Sequence, residues 1–193
     1  MKLTTKEPEN KPVEGQTYFN TKERRFYKYK EGKWREPMGI EIYTDGATSS
    51  NGLVGAYGGW AYIVLENGMK IASGADYVKP ATNNICELLA ILNACKFIEP
   101  NLKEFDSVTI YSDSAYVINC IHQKWYRKWQ ANGWITSQKK FVKNRPLWKE
   151  LIPFFEDPRF KWVKVKAHNG NFWNEEVDKM AVKAKEKNEG NSN

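Results

Sequence analysis

The spacing of apolar residues changes several times along this chain, and each change marks an element. From residue 40, IEIYTD alternates apolar and polar positions, the two-residue period of a strand. It closes on Asp45-Gly46, and a small polar stretch at 47–56 predicts a loop. YGGWAYIVLE at 57–66 predicts a second strand. Asn67-Gly68 then predicts a hairpin, because both residues tolerate positive φ, and a third strand runs from Met69 to about Val78. After Pro80 the period lengthens. Leu88, Leu92 and Cys95 recur at helical spacing with Leu89 and Ile91 beside them, Thr82 stands where an N-cap belongs, and Pro100 ends the run. SVTIYSD at 107–113 predicts a fourth strand, again ending on aspartate, and SAYVINCIHQ turns helical. PLWKELIPFF predicts a helix, FKWVKVK at 160–166 a fifth strand, and NEEVDKMAVKAKEK an amphipathic helix that frays into EGNSN.

The order is β-β-β-α-β-α…β-α. It predicts an α/β fold with a mixed five-stranded sheet: a three-strand antiparallel meander plus two further strands, flanked by helices. The start of the chain is different. Residues 1–15 are polar, carry Pro8, Pro12 and Gly15, and read as a loose arm. Residues 16–35 interleave Tyr18, Phe26, Tyr27, Tyr29 and Trp34 with lysines and arginines. Alternation in FYKYK and the Glu31-Gly32 turn predict a small aromatic and basic β-hairpin. Pro37 and Gly39 punctuate a boundary. The expected organisation is an N-terminal arm and hairpin at 1–38, a catalytic domain at 39–188 and a disordered tail at 189–193.

Composition narrows the partners. A net charge of +7 favours an anionic partner, nucleic acid first and an acidic membrane surface second. The basic residues are not spread evenly: the tract 119–149 holds eight Lys or Arg and no Asp or Glu, with Trp125, Tyr126, Trp129, Trp134, Phe141 and Trp148 among them. Three cysteines, Cys86, Cys95 and Cys120, form no C-x-x-C pair and make an odd count, which argues against a disulfide framework or a zinc site. The N-terminus lacks the apolar run of a signal peptide, and no stretch approaches the roughly 18–20 apolar residues of a membrane span. A soluble, cytoplasmic protein without a membrane partner is expected.

The carboxylates carry the chemistry. Asp45 and Asp113 each close an apolar strand, Glu87 interrupts the apolar run of the first helix, and Asp178 lies in the last helix, four residues after Asn174. Four acidic groups brought to one spot would repel each other, and divalent cations relieve that repulsion; hard oxygen ligands suit Mg²⁺ or Mn²⁺. Taken singly, each has a plainer reading. A strand-end Asp is often a turn former or an N-cap, and Glu87 can mark the solvent boundary of its helix. Of the two histidines, His122 lies in a helical stretch beside Ile121, while His168 sits in the loop KAHNGN, where a histidine is most often simply exposed.

The segments TDG (44–46), TNN..EL (82–88), YSDS.Y (111–116), V.AH.G (165–170) and NEEVD..A (174–181) occur in that order. Together they resemble the motifs of the type 1 ribonucleases H, over about residues 40–187. The resemblance implies a ribonuclease H-like fold and hydrolysis of the RNA strand of an RNA–DNA hybrid. It also implies two Mg²⁺ ions, replaceable by Mn²⁺, held about 3.5–4 Å apart by Asp45, Glu87, Asp113 and Asp178. The products would carry 5′-phosphate and 3′-hydroxyl ends. It gives His168 a part in proton transfer or product release.

Hybrid duplexes are read through a shallow minor groove, by shape and 2′-hydroxyl contacts. Asn51, Asn83, Asn84 and the peptide around Gly46 match family positions suited to that task, Thr82 and Asn51 match its phosphate-anchoring positions, and Asn174 is a further substrate-binding candidate. The basic tract resembles the family's protruding handle, with Lys139, Lys140 and Lys143 for phosphates and Tyr116, Trp125 and Trp129 for the DNA strand. The same tryptophans can equally serve as core. Ile85, Ala115 and Ala167 depart from the family pattern, the first two where relatives often carry polar or basic side chains, the third where the loop often has glycine. The expected enzyme is a monomer, with the N-terminal segment a further nucleic-acid or protein contact. A non-cutting hybrid binder, a different nuclease or strand-transfer enzyme on the same fold, and a fragment of a reverse transcriptase polyprotein are the rival readings.

Overall fold

The computed structural model describes residues 2–4, 8, 11–23, 25–49, 53–167 and 170–187. Asn51, His168 and the tail at 189–193 lie outside the described residues. Four short strands open the chain: β1 (Lys2–Thr4), β2 (Thr17–Asn20), β3 (Arg25–Lys30) and β4 (Lys33–Arg35). They form a sheet in the order β1-β2-β3-β4, parallel between β1 and β2 and antiparallel elsewhere. Glu31 and Gly32 make the β3–β4 turn, both at positive φ. Cross-strand register sets Tyr18 opposite Tyr27 and Tyr29 opposite Trp34, so these four aromatics share one face. Lys28 and Arg35 are paired on the other face.

The larger sheet follows the pattern read from the sequence. It contains β5 (Gly39–Thr48), β6 (Gly58–Glu66), β7 (Met69–Val78), β8 (Ser107–Ser112) and β9 (Phe160–Lys164). Their order is β7-β6-β5-β8-β9. β5, β6 and β7 are antiparallel neighbours, while β5–β8 and β8–β9 are parallel. Parallel neighbours need crossovers, and helices supply them. α1 (Asn83–Ile98) and a 3-10 helix (Glu99–Glu104) join β7 to β8, whereas α2 (Ala115–His122), α3 (Trp125–Ala131) and α4 (Arg145–Glu156) join β8 to β9. α5 (Phe172–Glu186) closes the chain.

Alternation along the strands divides the core in two. Ile40, Ile42, Val108 and Ile110 point to one face, where Leu88, Ile91, Trp148 and Leu151 of the helices cover them. Tyr43, Ile63 and Leu65 point to the other, under Val177 and Ala181 of α5. No helix among the described residues is long and apolar enough to cross a membrane.

Three strand ends differ from expectation, among them that of β9, which stops at Lys164 rather than at 166. β5 does not stop at Asp45 but pairs on through Gly46, Ala47 and Thr48 with Trp60, Gly59 and Gly58. The reason is tertiary: Gly58 and Gly59 let the sheet lie close against two helices. A Cβ at Gly58 would stand 2.4 Å from the Cys86 Sγ of α1, and one at Gly59 2.2 Å from the Ala181 carbonyl oxygen of α5. β8 ends at Ser112, one residue short of Asp113.

Candidate active site

Strand register brings the first two carboxylates together. β5 and β8 run parallel, and their last pair is Thr44 with Ser112. One step beyond lie Asp45 and Asp113. Alternation gives Asp45 the face of Tyr43, and Asp113 follows Tyr111 in the same way; the Tyr43 and Tyr111 rings stack below them at 4.6 Å. Asp113 does not cap α2: Ser114 does, accepting from the Val117 N–H at 3.4 Å.

Glu87 arrives from α1. Thr82 caps that helix, its hydroxyl oxygen accepting from the Ile85 N–H at 3.3 Å, and Glu87 lies one turn further in. Its approach to β5 depends on Gly46, where a Cβ would stand 2.6 Å from the backbone of Cys86 and Glu87. Strand and helix touch backbone to backbone, so Glu87 is buried beside Asp45. Carboxylate oxygens of Asp45, Glu87 and Asp113 all lie within 4.8 Å of one another. Asp178, half-buried on α5, lies close enough for its charge to act on Asp45.

The electrostatics follow from this crowding. Burial pushes the Asp45 carboxyl up to about 8; the charges of Asp113 and Asp178 add to the push, and the Gly46 N–H, donating at 2.8 Å, opposes it. Burial, then the charges of Asp45 and Asp113, holds Glu87 well above the ordinary carboxylate range. The Glu87 Oε2 is buried without a hydrogen-bond partner. Such an atom costs free energy unless something positive meets it. A cluster of hard oxygen donors with an orphaned lone pair fits a divalent cation of the Mg²⁺ type.

The other sequence-selected residues fall into four groups. Thr82, Asn83 and Asn84 start α1, within a turn or so of Glu87, and Asn83 accepts a hydrogen bond from the Thr48 hydroxyl. Asn174 is buried in the first turn of α5, one turn before Asp178, with its Oδ1 unpartnered. Tyr116, Trp125 and Trp129 form a half-buried aromatic group on Trp148, with Tyr116 and Trp129 at 5.6 and 5.5 Å from that ring. These rings are therefore part of the core as well as partly open to solvent.

Lys139, Lys140 and Lys143 stand apart. All three are exposed: Lys139 and Lys140 on a turn closed by the Ile135–Phe141 bridge, with the Thr136 N–H donating to the Lys140 carbonyl at 2.7 Å, and Lys143 just beyond it. His122 is exposed, its Nε2 2.9 Å from the Trp162 carbonyl oxygen. Sequence reasoning missed Thr48, whose partner lies 35 residues away with no local signal to link them. It also missed the clamp on α3, where Glu156 accepts from Tyr126 at 2.6 Å and Arg127 at 2.7 Å.

A mixed sheet in this order, with carboxylates from β5, α1, the β8–α2 junction and α5 gathered at one edge, defines the ribonuclease H-like class of folds. Comparison with known proteins is more specific. Residues 37–186 match the family model described as RNase H. The ribonuclease H of Acetivibrio thermocellus is 44% identical over 149 residues, covering 77% of this chain and 96% of that protein. LC9-RNase H1, solved as a type 1 RNase H with the type 2 active-site motif, aligns with a TM-score of 0.67 at 23% identity, over 78% of this chain and 74% of its own. LC11-RNase H1, solved in complex with an RNA/DNA hybrid, aligns at 0.56 and 18% identity, over 77% of this chain and 97% of its own. The chain belongs to the RNase H family and is an enzyme.

Proposed function

We propose that this enzyme cuts the RNA strand of RNA–DNA hybrids endonucleolytically, using two cations held by Asp45, Glu87, Asp113 and Asp178. The observation that carries the reading is the approach of three carboxylates to within 4.8 Å at the mutual edge of β5, β8 and α1. The buried, unpartnered Glu87 oxygen supports it. Mg²⁺ is the cation, with Mn²⁺ as substitute, because every donor is a hard oxygen. When bound, the pair supplies Lewis acidity on both sides of the scissile phosphate, for the entering water and for the leaving 3′-oxygen, so products end in 5′-phosphate and 3′-hydroxyl. The carboxylates hold and neutralise; they form no covalent link to substrate. His168 serves proton transfer near neutrality, where an ordinary imidazole titrates at about 6.5.

Gly46, Asn51, Asn83 and Asn84 read the hybrid through its minor groove, Thr82 and Asn51 anchor phosphate, and Asn174 is a further substrate contact. Tyr116, Trp125 and Trp129 meet the DNA strand, and Lys139, Lys140 and Lys143 meet phosphates along the exposed turn. The +7 net charge suits that substrate. Residues 39–188 form the catalytic domain, and 1–38 an accessory module. The enzyme acts as a monomer in the cytoplasm, where its three buried cysteines stay reduced.

The test compares labelled RNA–DNA hybrid, duplex RNA, duplex DNA and single strands, each with Mg²⁺ or EDTA. Only the hybrid with Mg²⁺ should be cut. Asp113→Asn should lower turnover by more than the roughly 10–100-fold typical of an outer-shell change at a metal site, with circular dichroism unchanged. Near-normal turnover by that variant would remove Asp113 from the site.

A further inference from the structure

Between the N-terminal sheet and the larger one lies an open cleft of about 390 Å³. Small-molecule sites have volumes of this order and often lie where two packed units meet. β3 supplies Lys28 and Lys30, the 3-10 helix and the residues after it supply Lys103, Phe105 and Asp106, and Arg159 precedes β9. With Glu14 the lining holds four cationic side chains and two carboxylates. Some of these charges are already engaged. Lys28 is paired with Asp106 at 2.8 Å, and Arg159 is held by Asp157 at 2.6 Å and by the Leu102 carbonyl at 2.9 Å. Glu14 accepts the Glu31 N–H at 3.2 Å. Lys30 and Lys103 differ. The Lys30 ammonium crosses the cleft to donate to the Lys103 backbone carbonyl, a neutral partner that leaves its charge uncancelled. An ammonium also has donors beyond the one that a single carbonyl engages. The Lys103 ammonium is exposed, and among the described residues neither lysine is in an ion pair. The cleft therefore keeps a positive balance, with the half-buried Phe105 as an apolar surface beside it.

We infer that this cleft binds a small organic phosphate of the nucleoside monophosphate class, with Lys30 and Lys103 on the phosphate and Phe105 against the base. Lysine meets phosphate as a point charge, and an aromatic ring stacks on any base. The cleft lies at the end of β8 opposite the carboxylate cluster, since Asp106 precedes that strand and Asp113 follows it. The site is thus separate from the one that holds the cations. A ligand there touches both sheets at once, so it binds the docked arrangement and stabilises it by mass action.

Calorimetric titration of the full chain with adenosine monophosphate, inorganic phosphate and adenosine tests this. EDTA is present throughout, so that no cation on the carboxylates draws phosphate there. Adenosine monophosphate should bind more tightly than either of its parts, raise the melting temperature and slow proteolysis within residues 20–38. Lys103→Gln, which breaks no ion pair, should weaken that binding by roughly tenfold, the factor of one charge-assisted hydrogen bond. Lys103→Arg should restore it. Exchanging Lys139, Lys140 and Lys143 for Gln should leave it unchanged, since those lysines lie on another surface. Adenosine monophosphate binding no more tightly than phosphate overturns the inference, as does full affinity in Lys103→Gln. Loss of binding in the triple variant overturns it too, by tracing the effect to general attraction between basic surface and anion. Displacement of the nucleotide by uncut RNA–DNA hybrid in EDTA would assign the cleft to a nucleic-acid strand and likewise overturn it. None of these outcomes depends on cleavage, so the carboxylate site stands or falls separately.

Discussion

At Asp45, burial and neighbouring charge act in the same direction, and the consequence can be read as a dependence of stability on pH. Its carboxyl is pushed from 3.8 up to about 8, first by burial and then by Asp113. The folded state therefore binds a proton that the unfolded chain releases near pH 4. Where the folded state holds more protons, stability falls as pH rises. For the cation-free protein that window runs from about pH 4 to about pH 8. Glu87 is shifted in the same direction, so its contribution has the same sign. In EDTA the melting temperature should drop as pH is raised from 5 to 9. Mg²⁺ should reverse the drop, and bind more tightly as pH rises, because it competes with protons for the same oxygens. Asp45→Asn should flatten the slope. A steep slope surviving in that variant would place its origin elsewhere. At this scale the sequence was informative about residue type and order: Asp45, Glu87, Asp113 and Asp178 were all legible as carboxylates on defined elements. Their protonation was not, because it depends on separations set by packing. Thr48 escaped notice for the same reason, since its partner is remote in sequence.

Between elements, Glu87 meets Asp45 because β5 and α1 are in backbone contact at Gly46. A methyl group there would stand 2.6 Å from three atoms of Cys86 and Glu87, two of them backbone. Backbone cannot swing aside as a flexible side chain can, so Gly46→Ala must push strand and helix apart. Overpacking of this kind costs about 1–3 kcal/mol. The same displacement should separate Asp45 from Glu87 and weaken Mg²⁺ binding. Calorimetric titration with Mg²⁺ beside a melting curve checks both; a lower melting temperature with unaltered Mg²⁺ affinity would confine Gly46 to packing. Elements marked by local chemistry were legible: the Thr82 cap, the Asn67-Gly68 hairpin and the alternation of β5 depend only on neighbouring residues. The run of β5 on to Thr48 was not, since it depends on Gly58 and Gly59 fitting against α1 and α5. The tract at 119–149 likewise gave no sign of its breaks. Lys124 and Asn144 adopt left-handed backbone at φ +54° and +58° just before α3 and α4, and neither is glycine.

At the scale of the molecule, one carboxylate joins the N-terminal sheet to the larger one. Asp106, just before β8, accepts from Lys28 at 2.8 Å and Arg35 at 2.9 Å, on the lysine-bearing face of β3 and β4. It also accepts the Met38 N–H at 2.9 Å, where the chain enters β5. The aromatic alternation of β3 was legible in the sequence. The parallel pairing of β1 with β2 was not, because a long polar segment separates them, and neither was the choice of Asp106 among the acidic residues. Asp106 lies at the start of β8 and Asp113 just past its end, so about 20 Å of strand separates this joint from the carboxylate cluster. Burial raises the Asp106 carboxyl, but Lys28, the Met38 N–H and Arg35 outweigh it and hold its pKa below 3.8. A depressed carboxyl stabilises the folded state above its unfolded value and loses that effect as pH falls through the folded one. The joint should therefore hold at neutrality and loosen only below about pH 4. Asp106→Ala should loosen it at every pH, at a cost of about 1–2 kcal/mol. That is less than the 3–5 of a fully buried pair, because Lys28 and Arg35 keep partial contact with water. Limited proteolysis should then cut within residues 20–38 faster than in the unaltered protein, while kcat on a hybrid stays within about twofold, since effects at well-separated sites are nearly independent. A fall in kcat that tracks the loosening would mean that the N-terminal sheet takes part in forming the catalytic edge. Unchanged proteolysis would mean that the apolar and backbone contacts around Met38 hold the sheet without the ion pairs.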